Sequence, residues 1–405
     1  MDKPVVVDLF AGCGGFSKGF LDAGFDVRLA VEIDEWACQT FRYNFPNAHV
    51  LCSDVRDVEA NHIRELIGQK PDIIIGGPPC QGFSVSVPGG PNKRDPKDPR
   101  NSLFMEFVRL LKELKPIAFM IENVPGILTS VTASGERVIK IIECKLSELG
   151  YYVKTSLLNA CNYGVPQFRE RIFIAGVAEK VDNPLFPKPT HKGYKEEYAL
   201  DRYLGGGYKP YVTLWEAISD LPQIPAGVTQ EKYEYPLPPQ NDYQALMRKG
   251  SDGVYNHIPM KHYKRTIERF KRIKWGQSLS DVPAEFGPRK RGKPYEFSNK
   301  RYDQNNRRLH PNRISHTVTA SFYANFIHPY LDRNFTAREA ARLQSFPDTF
   351  IFMGKKTVPS FKLLKREGRY DEMHLCQFAQ IGNAVPPLLA RALASHLRKS
   401  IKSLS

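Results

Sequence analysis

The sequence predicts an α/β protein with a doubly wound, mostly parallel sheet and a smaller, irregular basic domain. In the first half of the chain, short apolar runs alternate with segments of helical spacing. Two of these runs, Asp72–Gly76 and Ile117–Val124, are largely apolar, which is typical of strands buried on both faces. After Val177 the alternation is lost, because residues 178–240 are rich in proline, glycine and tyrosine.

The individual elements follow from this alternation. Besides the two apolar runs, strands are predicted at Pro4–Phe10, Val27–Ile33, His49–Asp54, Tyr151–Leu158 and Arg171–Val177. Helices are predicted at Phe16–Gly24, Glu35–Phe45, Asn101–Leu114, Glu136–Leu149, 336–343 and 388–400. We therefore expect an α/β domain over residues 1–177, an irregular basic domain over 178–330, and a return of the chain to the first domain over 331–405.

The composition excludes several protein classes. The chain has 405 residues, of which 41% are hydrophobic and 25% charged, as in ordinary globular proteins. Its 7 cysteines form no CxxC pair, so neither a disulfide framework nor a zinc ribbon is indicated, and the sequence offers no metal cluster. No apolar run approaches the ~20 residues of a membrane span, and we see no signal peptide. These features favour a cytoplasmic protein with no membrane partner.

The positive charge is concentrated in one part of the chain. The net charge is +15, yet residues 1–177 hold 20 basic and 21 acidic side chains. Residues 248–313 hold 18 basic and 6 acidic side chains, a net of +12. A neutral half beside a strongly basic segment favours a catalytic module beside a module that binds a polyanion. On charge alone, a solvated lysine-rich surface is an equal alternative.

A glycine-rich turn follows the first predicted strand and opens the first helix. Gly12 and Gly14 let the main chain approach a ligand closely, and the helix start leaves N–H groups to bind it. Glu32 comes 20 residues after Gly12, where an acid can hold ribose hydroxyls, and Asp54 could bind an adenine amino group. The spacing GxGG differs from the GxGxxG of NAD sites. S-adenosyl-L-methionine is therefore the leading candidate for the cofactor. A nicotinamide cofactor, and with it an oxidoreductase, is a weaker alternative.

A second turn, GGPPCQGFS, follows the strand Asp72–Gly76 and carries Cys80. Its prolines restrict the main chain before Cys80, and Gly82 allows a close approach behind it. A thiol held rigidly at the ligand-binding edge of a sheet is a candidate nucleophile. The alternative, a buried small apolar residue, is our interpretation of the other six cysteines.

Five motifs occur in a fixed order: DLFAGCGGFS, GGPPCQGFS, IENV, QFRERIFIAG and IGNAVPP. With them the chain resembles the DNA (cytosine-5)-methyltransferases over nearly its whole length, in particular the compact bacterial and phage enzymes of restriction–modification systems. The resemblance implies that Cys80 attacks C6 of cytosine and that Glu122 binds N3 and the exocyclic amine. It also implies that Arg169 and Arg171 lie in the active site, with Arg171 near O2. The implied cofactor residues are Phe10, Gly12, Gly14, Glu32, Ile33, Asp54, Pro78, Asn383 and Val385.

The residue types fit this chemistry. A thiolate that adds to C6 makes C5 nucleophilic, and negative charge develops toward N3 of the ring. Glu122 can neutralise that charge only if it carries a proton, so a desolvated pocket that raises its pKa is expected. Without the family resemblance, Glu122 and Arg171 would be interpreted as a surface ion pair.

The resemblance also implies contacts with double-stranded DNA. The target base must leave the helix, and the proline-rich segment Ser84–Arg100 suits a loop that closes over the DNA. Ser86 is a candidate for the space left by the flipped base, beside Gln81 and Ser84. In the family the target-recognition domain lies between the QFRER motif and the motif at Thr336–Asp348, here residues 178–330. Its predicted phosphate contacts are Arg289, Lys290, Arg291, Lys293, Arg307 and Arg308.

Two other functions remain open from the sequence. One is methylation of tRNA by a branch with the same motifs, and the other is a non-catalytic DNA-binding regulator on the same fold. The large basic insertion favours duplex DNA, and the joint presence of Cys80, Glu122 and Arg171 favours an enzyme. We expect a monomer associated with the nucleoid, with a cognate restriction endonuclease as a possible partner.

Overall fold

The computed structural model describes residues 3–79, 100–132, 134–179, 185–192, 207–290, 293–298, 302–357 and 361–401. The chain divides into two compact units. The first contains Met1–Tyr163, Arg169–Pro189 and Ala384–Ser405, and the second contains Gly164–Phe168 and Thr190–Asn383. The sequence predicts that the chain returns to the first domain at residue 331. In the structure the second unit extends to Asn383, and the helices between residues 337 and 383 belong to that unit.

The first unit is built on a seven-stranded sheet. Its strands are β1 (Val5–Leu9), β2 (Asp26–Glu32), β3 (His49–Cys52), β4 (Ile73–Gly76), β5 (Ala118–Asn123), β6 (Tyr152–Asn159) and β7 (Glu170–Val177). Their order is β3-β2-β1-β4-β5-β7-β6. The first five strands pair in parallel, whereas β7 is antiparallel to both of its neighbours. This confirms the predicted mostly parallel sheet.

Helices cover the sheet of the first unit. They are α1 (Gly15–Asp22), α2 (Glu35–Asn44), α3 (Ala60–Ile67), α4 (Arg100–Leu114), α5 (Val138–Glu148) and the C-terminal helix Pro387–Ile401. One apolar cluster contains Ile74 and Phe119 of the sheet with Phe107 of α4 and Ile142 of α5. Strands buried in this way need apolar side chains on both faces, which explains the runs in the sequence. In the described part of the chain, no helix is long and apolar enough to cross a membrane.

The C-terminal helix packs closely on α1. A Cβ atom added at Gly19 of α1 would collide with Ala390 of the C-terminal helix, so glycine is required for this approach. Arg398 donates a hydrogen bond of 3.0 Å to the carbonyl oxygen of Ala23, just after α1. The first unit is therefore completed by a helix that lies more than 300 residues later in the sequence.

The direction of the strands determines which residues lie at the functional edge of the sheet. Leu9 pairs with Gly76, and Glu32 pairs with Cys52, so β1 to β4 end side by side. Because β7 runs opposite to β5, it begins at the same edge at which β5 ends. The segments after β1, β2, β3, β4 and β5 and the segment before β7 consequently share one edge, where open α/β sheets bind ligands.

The second unit is irregular, as predicted. Its helices are α6 (Leu214–Ile218), α7 (Asp242–Arg248), α8 (Lys264–Lys271), α9 (Phe322–Asn325), α10 (Ala337–Leu343), α11 (Phe361–Arg366) and α12 (Gln377–Asn383). Its strands form two-stranded sheets: β8 (His191–Lys192), β9 (Lys209–Pro210), β10 (Lys232–Tyr233), β11 (Val254–Tyr255), β12 (Arg289–Lys290), β13 (Lys293–Phe297), β14 (Arg307–Arg308) and β15 (Phe326–Ile327). Thr336 and Glu339 form the capping box predicted at the start of α10.

Ion pairs lie at the centre of this second unit. Arg342 of α10 donates to both carboxylate oxygens of Asp348, at 2.6 Å each, and to Asp220 at 3.1 Å. All three side chains are fully buried. Arg333 makes a similar two-pronged contact with Glu339, at 2.9 and 2.7 Å. These pairs fix residues 331–348 within the second unit, which explains why the chain does not rejoin the first unit at residue 331.

Candidate active site

Glu122 and Arg171 meet at the edge of the sheet. Glu122 lies near the end of β5 and pairs in register with Phe173, and Arg171 stands two residues earlier on β7 and therefore on the same face. The Nε atom of Arg171 lies 2.9 Å from Oε1 of Glu122, and the two side chains are 16% and 14% exposed. The structure thus joins two residues that are 49 positions apart in the sequence.

The Glu122 carboxyl holds a proton more readily than an ordinary glutamate. Burial raises its pKa, and the opposing attraction of Arg171 and Arg169 does not cancel that effect. This is the direction that the chemistry of the cytosine ring requires. A carboxyl group with a raised pKa beside a fixed guanidinium can donate a hydrogen bond or a proton to a ligand.

Arg169 precedes β7 and is buried, with 1% of its surface exposed. Its main-chain N–H donates to Oδ1 of Asn159 at 3.1 Å, and its Nη2 donates to the carbonyl oxygen of Ala384 at 3.1 Å. Burial and the neighbouring charge of Arg171 lower its pKa. The structure therefore anchors Arg169 to the main chain and adds positive charge behind Glu122.

The turn after β4 is tied to the end of β5. The side-chain amide of Asn123 donates a hydrogen bond of 3.0 Å to the carbonyl oxygen of Pro78, and its Oδ1 accepts from the N–H of Val124 at 2.9 Å. A Cβ atom at Gly77 would lie 3.4 Å from Oε2 of Glu122. Asn123 thus positions the turn that leads to Cys80. The sequence analysis assigned no role to Asn123, although its place beside Glu122 in the IENV motif was a usable signal.

Several predicted site residues lie outside the described part of the chain. They are Cys80, Gln81, Ser84, Ser86 and Arg291, together with residues 84–99 of the predicted closing loop. Their roles remain predictions from the sequence.

The glycine-rich turn after β1 has the conformation that its sequence predicts. Gly12 and Gly14 have φ values of 55° and 94°, in the left-handed region that favours glycine. Phe10 also lies there, with φ of 61°, which is uncommon for a residue with a side chain. At Gly14 a side chain would in addition collide with two phenylalanines of the α2 region. The turn is therefore a specific, partly strained structure and not a simple connection.

Glu32 binds this turn from the end of β2. Its Oε2 accepts a hydrogen bond of 2.8 Å from the N–H of Gly12. Its Oε1 accepts from the N–H groups of Ile33 at 3.0 Å and Asp34 at 2.9 Å. A carboxylate can accept about four hydrogen bonds, so Glu32 retains acceptor capacity for a ligand hydroxyl. The Ile33 side chain next to it is 65% exposed and offers an apolar surface.

A second acid lies beneath the turn. Asp8 of β1 is buried and accepts a hydrogen bond of 2.6 Å from the Ser17 hydroxyl of α1. Burial raises the pKa of Asp8 to about 7; the Ser17 hydrogen bond opposes this shift and the charge of Glu32 adds to it. Sequence reasoning did not select Asp8, although it is the first residue of the DLFAGCGGFS motif.

The remaining predicted cofactor residues have different surroundings. Asp54, after β3, accepts hydrogen bonds from the main chain and the guanidinium of Arg56, which lower its pKa. The carboxylate is therefore ionised and already engaged by Arg56. Asn383 is exposed at the end of α12 in the second unit, whereas Val385 is buried in the first.

The predicted phosphate contacts of the second unit also separate into groups. Arg289 and Lys290 are exposed on β12, and Lys290 lies 2.8 Å from Glu296. Lys293 begins β13. Arg307 is partly exposed, but Arg308 is 6% exposed. The guanidinium of Arg308 donates to four main-chain carbonyl groups and to Asp332. This corrects the prediction for Arg308, because a guanidinium buried among these partners does not face a phosphate.

Comparison with known proteins decides the family. The family model for C-5 cytosine-specific DNA methylases matches residues 5–399. The chain belongs to this family. The match spans the sheet, the glycine turn, the Glu122–Arg171 pair and the second unit, and it confirms the resemblance that the ordered motifs indicate.

Members of the C-5 cytosine-specific DNA methylase family from restriction–modification systems are similar along nearly the whole chain. The type II methyltransferase M.DdeI of Desulfomicrobium norvegicum is 48% identical over 97% of this chain and 88% of its own length. M1.HphI of Haemophilus parahaemolyticus is 35% identical over 97% of this chain and 86% of its own length. The protein is thus a DNA (cytosine-5)-methyltransferase of the restriction–modification type.

Solved structures agree with this assignment. A DNA modification methyltransferase encoded within a prophage of E. coli superposes with a TM-score of 0.72 at 27% identity, covering 99% of this chain and all of the other. A variant of DNMT2 from Spodoptera frugiperda has a TM-score of 0.56 at 17% identity, covering 98% of this chain and all of the other. At that lower identity, the similarity establishes the fold alone.

Proposed function

We propose that this methyltransferase transfers a methyl group from S-adenosyl-L-methionine to C5 of a cytosine flipped out of a specific duplex DNA sequence. The reaction passes through a covalent bond between Sγ of Cys80 and C6 of the base. The observation that carries this proposal is the Glu122–Arg171 pair, in which burial raises the pKa of the carboxyl group. The Pro78 turn, held against the same strand by Asn123, leads directly to Cys80.

The first unit has the features that the cofactor needs. When bound, S-adenosyl-L-methionine supplies an electrophilic methyl group. The glycine turn offers main-chain N–H groups at the start of α1. Among the described residues, none lies within 4 Å of a Cβ atom built on Gly12, so a ligand can approach there. Glu32 is the acceptor for ribose hydroxyls, and the exposed Ile33 side chain is the apolar surface for an adenine ring. Phe10, Gly14, Asp54, Pro78 and Val385 complete the proposed cofactor set of the first unit. Asn383, in the second unit, stays a prediction from the family resemblance.

The chain's own residues prepare the cytosine ring for methylation. The Cys80 thiolate adds to C6 and moves an electron pair through C5 and C4 toward N3. Glu122 donates its proton to N3, and Arg171 stabilises the O2 oxygen while Arg169 supports the positive field. With the cofactor bound, C5 would supply the electron pair for the new bond to the methyl carbon, whose bond to the sulfonium sulfur would break and leave its electron pair on that sulfur. A base removes the C5 proton, the Cys80–C6 bond breaks, and the N3 proton returns to Glu122.

Recognition of the DNA falls to the second unit. We propose Arg289 and Lys290 of β12 and Lys293 at the start of β13 as phosphate contacts. Arg291 is proposed as a further phosphate contact from the sequence alone. The segment Ser84–Arg100, which contains Ser86, is proposed from the sequence as the loop that closes over the extruded base beside Gln81. The closed loop would exclude water from the reacting ring.

A covalent trap tests the proposal. Duplex DNA with 5-fluorocytosine at the target position should form a stable adduct with the wild-type chain, because fluorine cannot leave C5 as a cation. Adduct formation should require S-adenosyl-L-methionine, and Cys80→Ser should form none because its hydroxyl is far less ionised than a thiol. Cys144→Ser is the matched control, since Cys144 is an exposed thiol on α5 outside the proposed site. An adduct or wild-type methylation in the Cys80 variant would contradict the proposal.

A further inference from the structure

Helix α8 and strand β12 hold three arginines close to one another. They are Arg265 and Arg269 of α8 and Arg289 of β12. Burial and the positive charge of Arg289 lower the pKa of Arg265, and burial and the charge of Arg265 lower the pKa of Arg269. Each guanidinium group therefore lies in the electrostatic field of the next.

Two of these side chains fix the segment that leads into β12. Nη2 of Arg265 donates a hydrogen bond of 2.8 Å to the carbonyl oxygen of Gly287. Arg269 donates to the carbonyl oxygens of Phe286 at 2.5 Å and Gly287 at 3.2 Å. The start of β12, and with it Arg289, is thereby held beside α8.

In the part of the chain that the structure describes, no carboxylate forms an ion pair with these three arginines. Neighbouring cations differ: Lys271 and Arg272 pair with Glu268 at 2.8 and 3.2 Å. Lys290 likewise pairs with Glu296 at 2.8 Å. The first turn of α8 also contains no acidic residue. Because an arginine keeps its proton in a protein, the mutual repulsion of the three charges is relieved when an anion binds.

Arg265 and Arg289 have donors available for such an anion. Among the described residues, only Nη2 of Arg265 is hydrogen-bonded, which leaves Nε and Nη1 of that guanidinium. The group lies 5.2 Å from the ring centroid of Phe297 on β13. Arg289 is exposed, and its side chain has no partner among the same residues. One braced and one unrestrained guanidinium offer concentrated charge without a fixed pattern of donors, which suits a phosphate better than the edge of a base.

We propose that Arg265 and Arg289 form a binding surface for the sugar–phosphate backbone of the DNA. The DNA supplies the closely spaced anions that this cluster lacks, and residues 248–313, which contain it, carry a net charge of +12. Arg269 is a positioning residue that holds the segment before Arg289. The inference rests on the proposed binding of duplex DNA and adds Arg265, which the sequence analysis did not select.

Binding of the full chain to a duplex of unrelated sequence tests this surface, because phosphate contacts do not depend on the bases. Arg265→Gln should make the slope of log affinity against log salt shallower by roughly 0.9. Between about 50 and 200 mM salt, the variant should therefore lose roughly 3.5-fold less affinity than the wild type. Arg265→Lys keeps the charge and should keep the slope. A purely structural role of Arg265 would not separate the two variants in this way.

Arg272→Gln is the matched control. It removes the same charge from the end of the same helix, but from an arginine that is paired with Glu268. It should keep the slope of the wild type. Arg289→Gln repeats the test at an exposed side chain and should give a shallower slope, so a result is obtained even where Arg265→Gln does not fold.

An unchanged slope in Arg265→Gln, or in Arg289→Gln, would overturn the inference. An equal change of slope in Arg272→Gln would overturn it as well, because a uniformly solvated basic surface has that effect. A loss of affinity confined to duplexes with the target sequence would indicate contacts with bases and would also contradict it. Failure of the proposed function itself would differ, because the wild-type chain would then bind no duplex.

Discussion

Two arginine–carboxylate clusters of this molecule show opposite behaviour. In the first unit Glu122 is paired with Arg171, yet burial raises the pKa of Glu122. In the second unit Asp348 is paired with Arg342 and is more completely buried, yet its pKa is lowered. An arginine beside a buried carboxylate therefore does not by itself decide whether that carboxylate is charged.

The number of hydrogen-bond donors explains the difference. Asp348 accepts two bonds of 2.6 Å from Arg342 and one of 2.5 Å from the Tyr235 hydroxyl, so the ionised form is well solvated by the protein. Among the described residues, only Arg171 donates a hydrogen bond to the Glu122 carboxyl group, although the charge of Arg169 also attracts it. Fully satisfied carboxylates stabilise the fold, whereas an under-satisfied one remains free to exchange a proton with a ligand. The contrast separates a structural carboxylate from the proposed catalytic one in the same chain.

Removal of Arg342 should have the largest effect. Arg342→Ala leaves Asp220 and Asp348 buried without their main partner, and we expect the free energy of unfolding to fall by about 3–5 kcal/mol. The loss should be smaller at pH 5 than at pH 8, because protonation relieves an unpaired buried carboxylate. Chemical denaturation at both pH values measures it. Lys271→Ala is the control for an exposed ion pair and should behave like the wild type; equal losses in the two variants would contradict the comparison.

Replacement of Glu122 should affect catalysis and leave the fold intact. Glu122→Gln retains a neutral hydrogen-bonding group but cannot transfer a proton, so methyl transfer should slow by about 10²–10³-fold. In the wild type the rate should fall as the pH rises through the raised pKa of Glu122, because the protonated form is the active one. That decline should be absent in the variant. Single-turnover methylation across pH measures both effects, and an unchanged rate at all pH values would remove Glu122 from the mechanism.

Replacement of Asp8 should have the smallest effect on stability, and that effect should be confined to high pH. Its pKa is about 7 in the folded chain, above the ordinary value, so its contribution to stability is present below about pH 4 and is lost as the pH rises through 7. Asp8→Asn mimics the protonated form, and above pH 8 it should exceed the wild type by more than about 1 kcal/mol. At pH 4 the two should be equal. A wild type that is the more stable protein at pH 8 would show that ionised Asp8 supports the fold.

The sequence predicts many of the residues at the ligand-binding edge of the sheet, because each of them belongs to a short motif beside the end of a strand. Glycines with positive φ, a proline turn and an acid at a strand end each leave a short signature, and strand order then aligns them. The antiparallel direction of β7 could not be predicted in this way, because the apolar pattern of residues 172–177 does not depend on the direction in which the strand runs in the sheet. The sequence analysis also did not predict helix α3, because this helix is only 8 residues long and has few apolar positions.

Buried charge was the main source of error. Arg308 lies in the basic stretch of residues 248–313, and in a sequence such a charged residue indicates a surface position. Its burial depends on partners such as Asp332 that spacing cannot reveal. The burial of Arg342, about which the sequence made no prediction, depends in the same way on Asp220. The compact units differ from the predicted bounds at residue 330, because the ion pairs that hold residues 331–348 in the second unit are not visible as a hydrophobic pattern.

The close approach of Gly19 and Ala390 has a consequence for biosynthesis. During translation the apolar face of α1 leaves the ribosome early, but the helix that covers it is made only after the whole second unit. Until residues 387–401 emerge, the apolar surface of α1 that they cover is exposed, and transiently exposed apolar surface favours aggregation. A ribosome that stalls within the second unit leaves a sheet with every strand present and no finished enzyme. We therefore expect a chain that ends before the C-terminal helix to lack a stably packed α1.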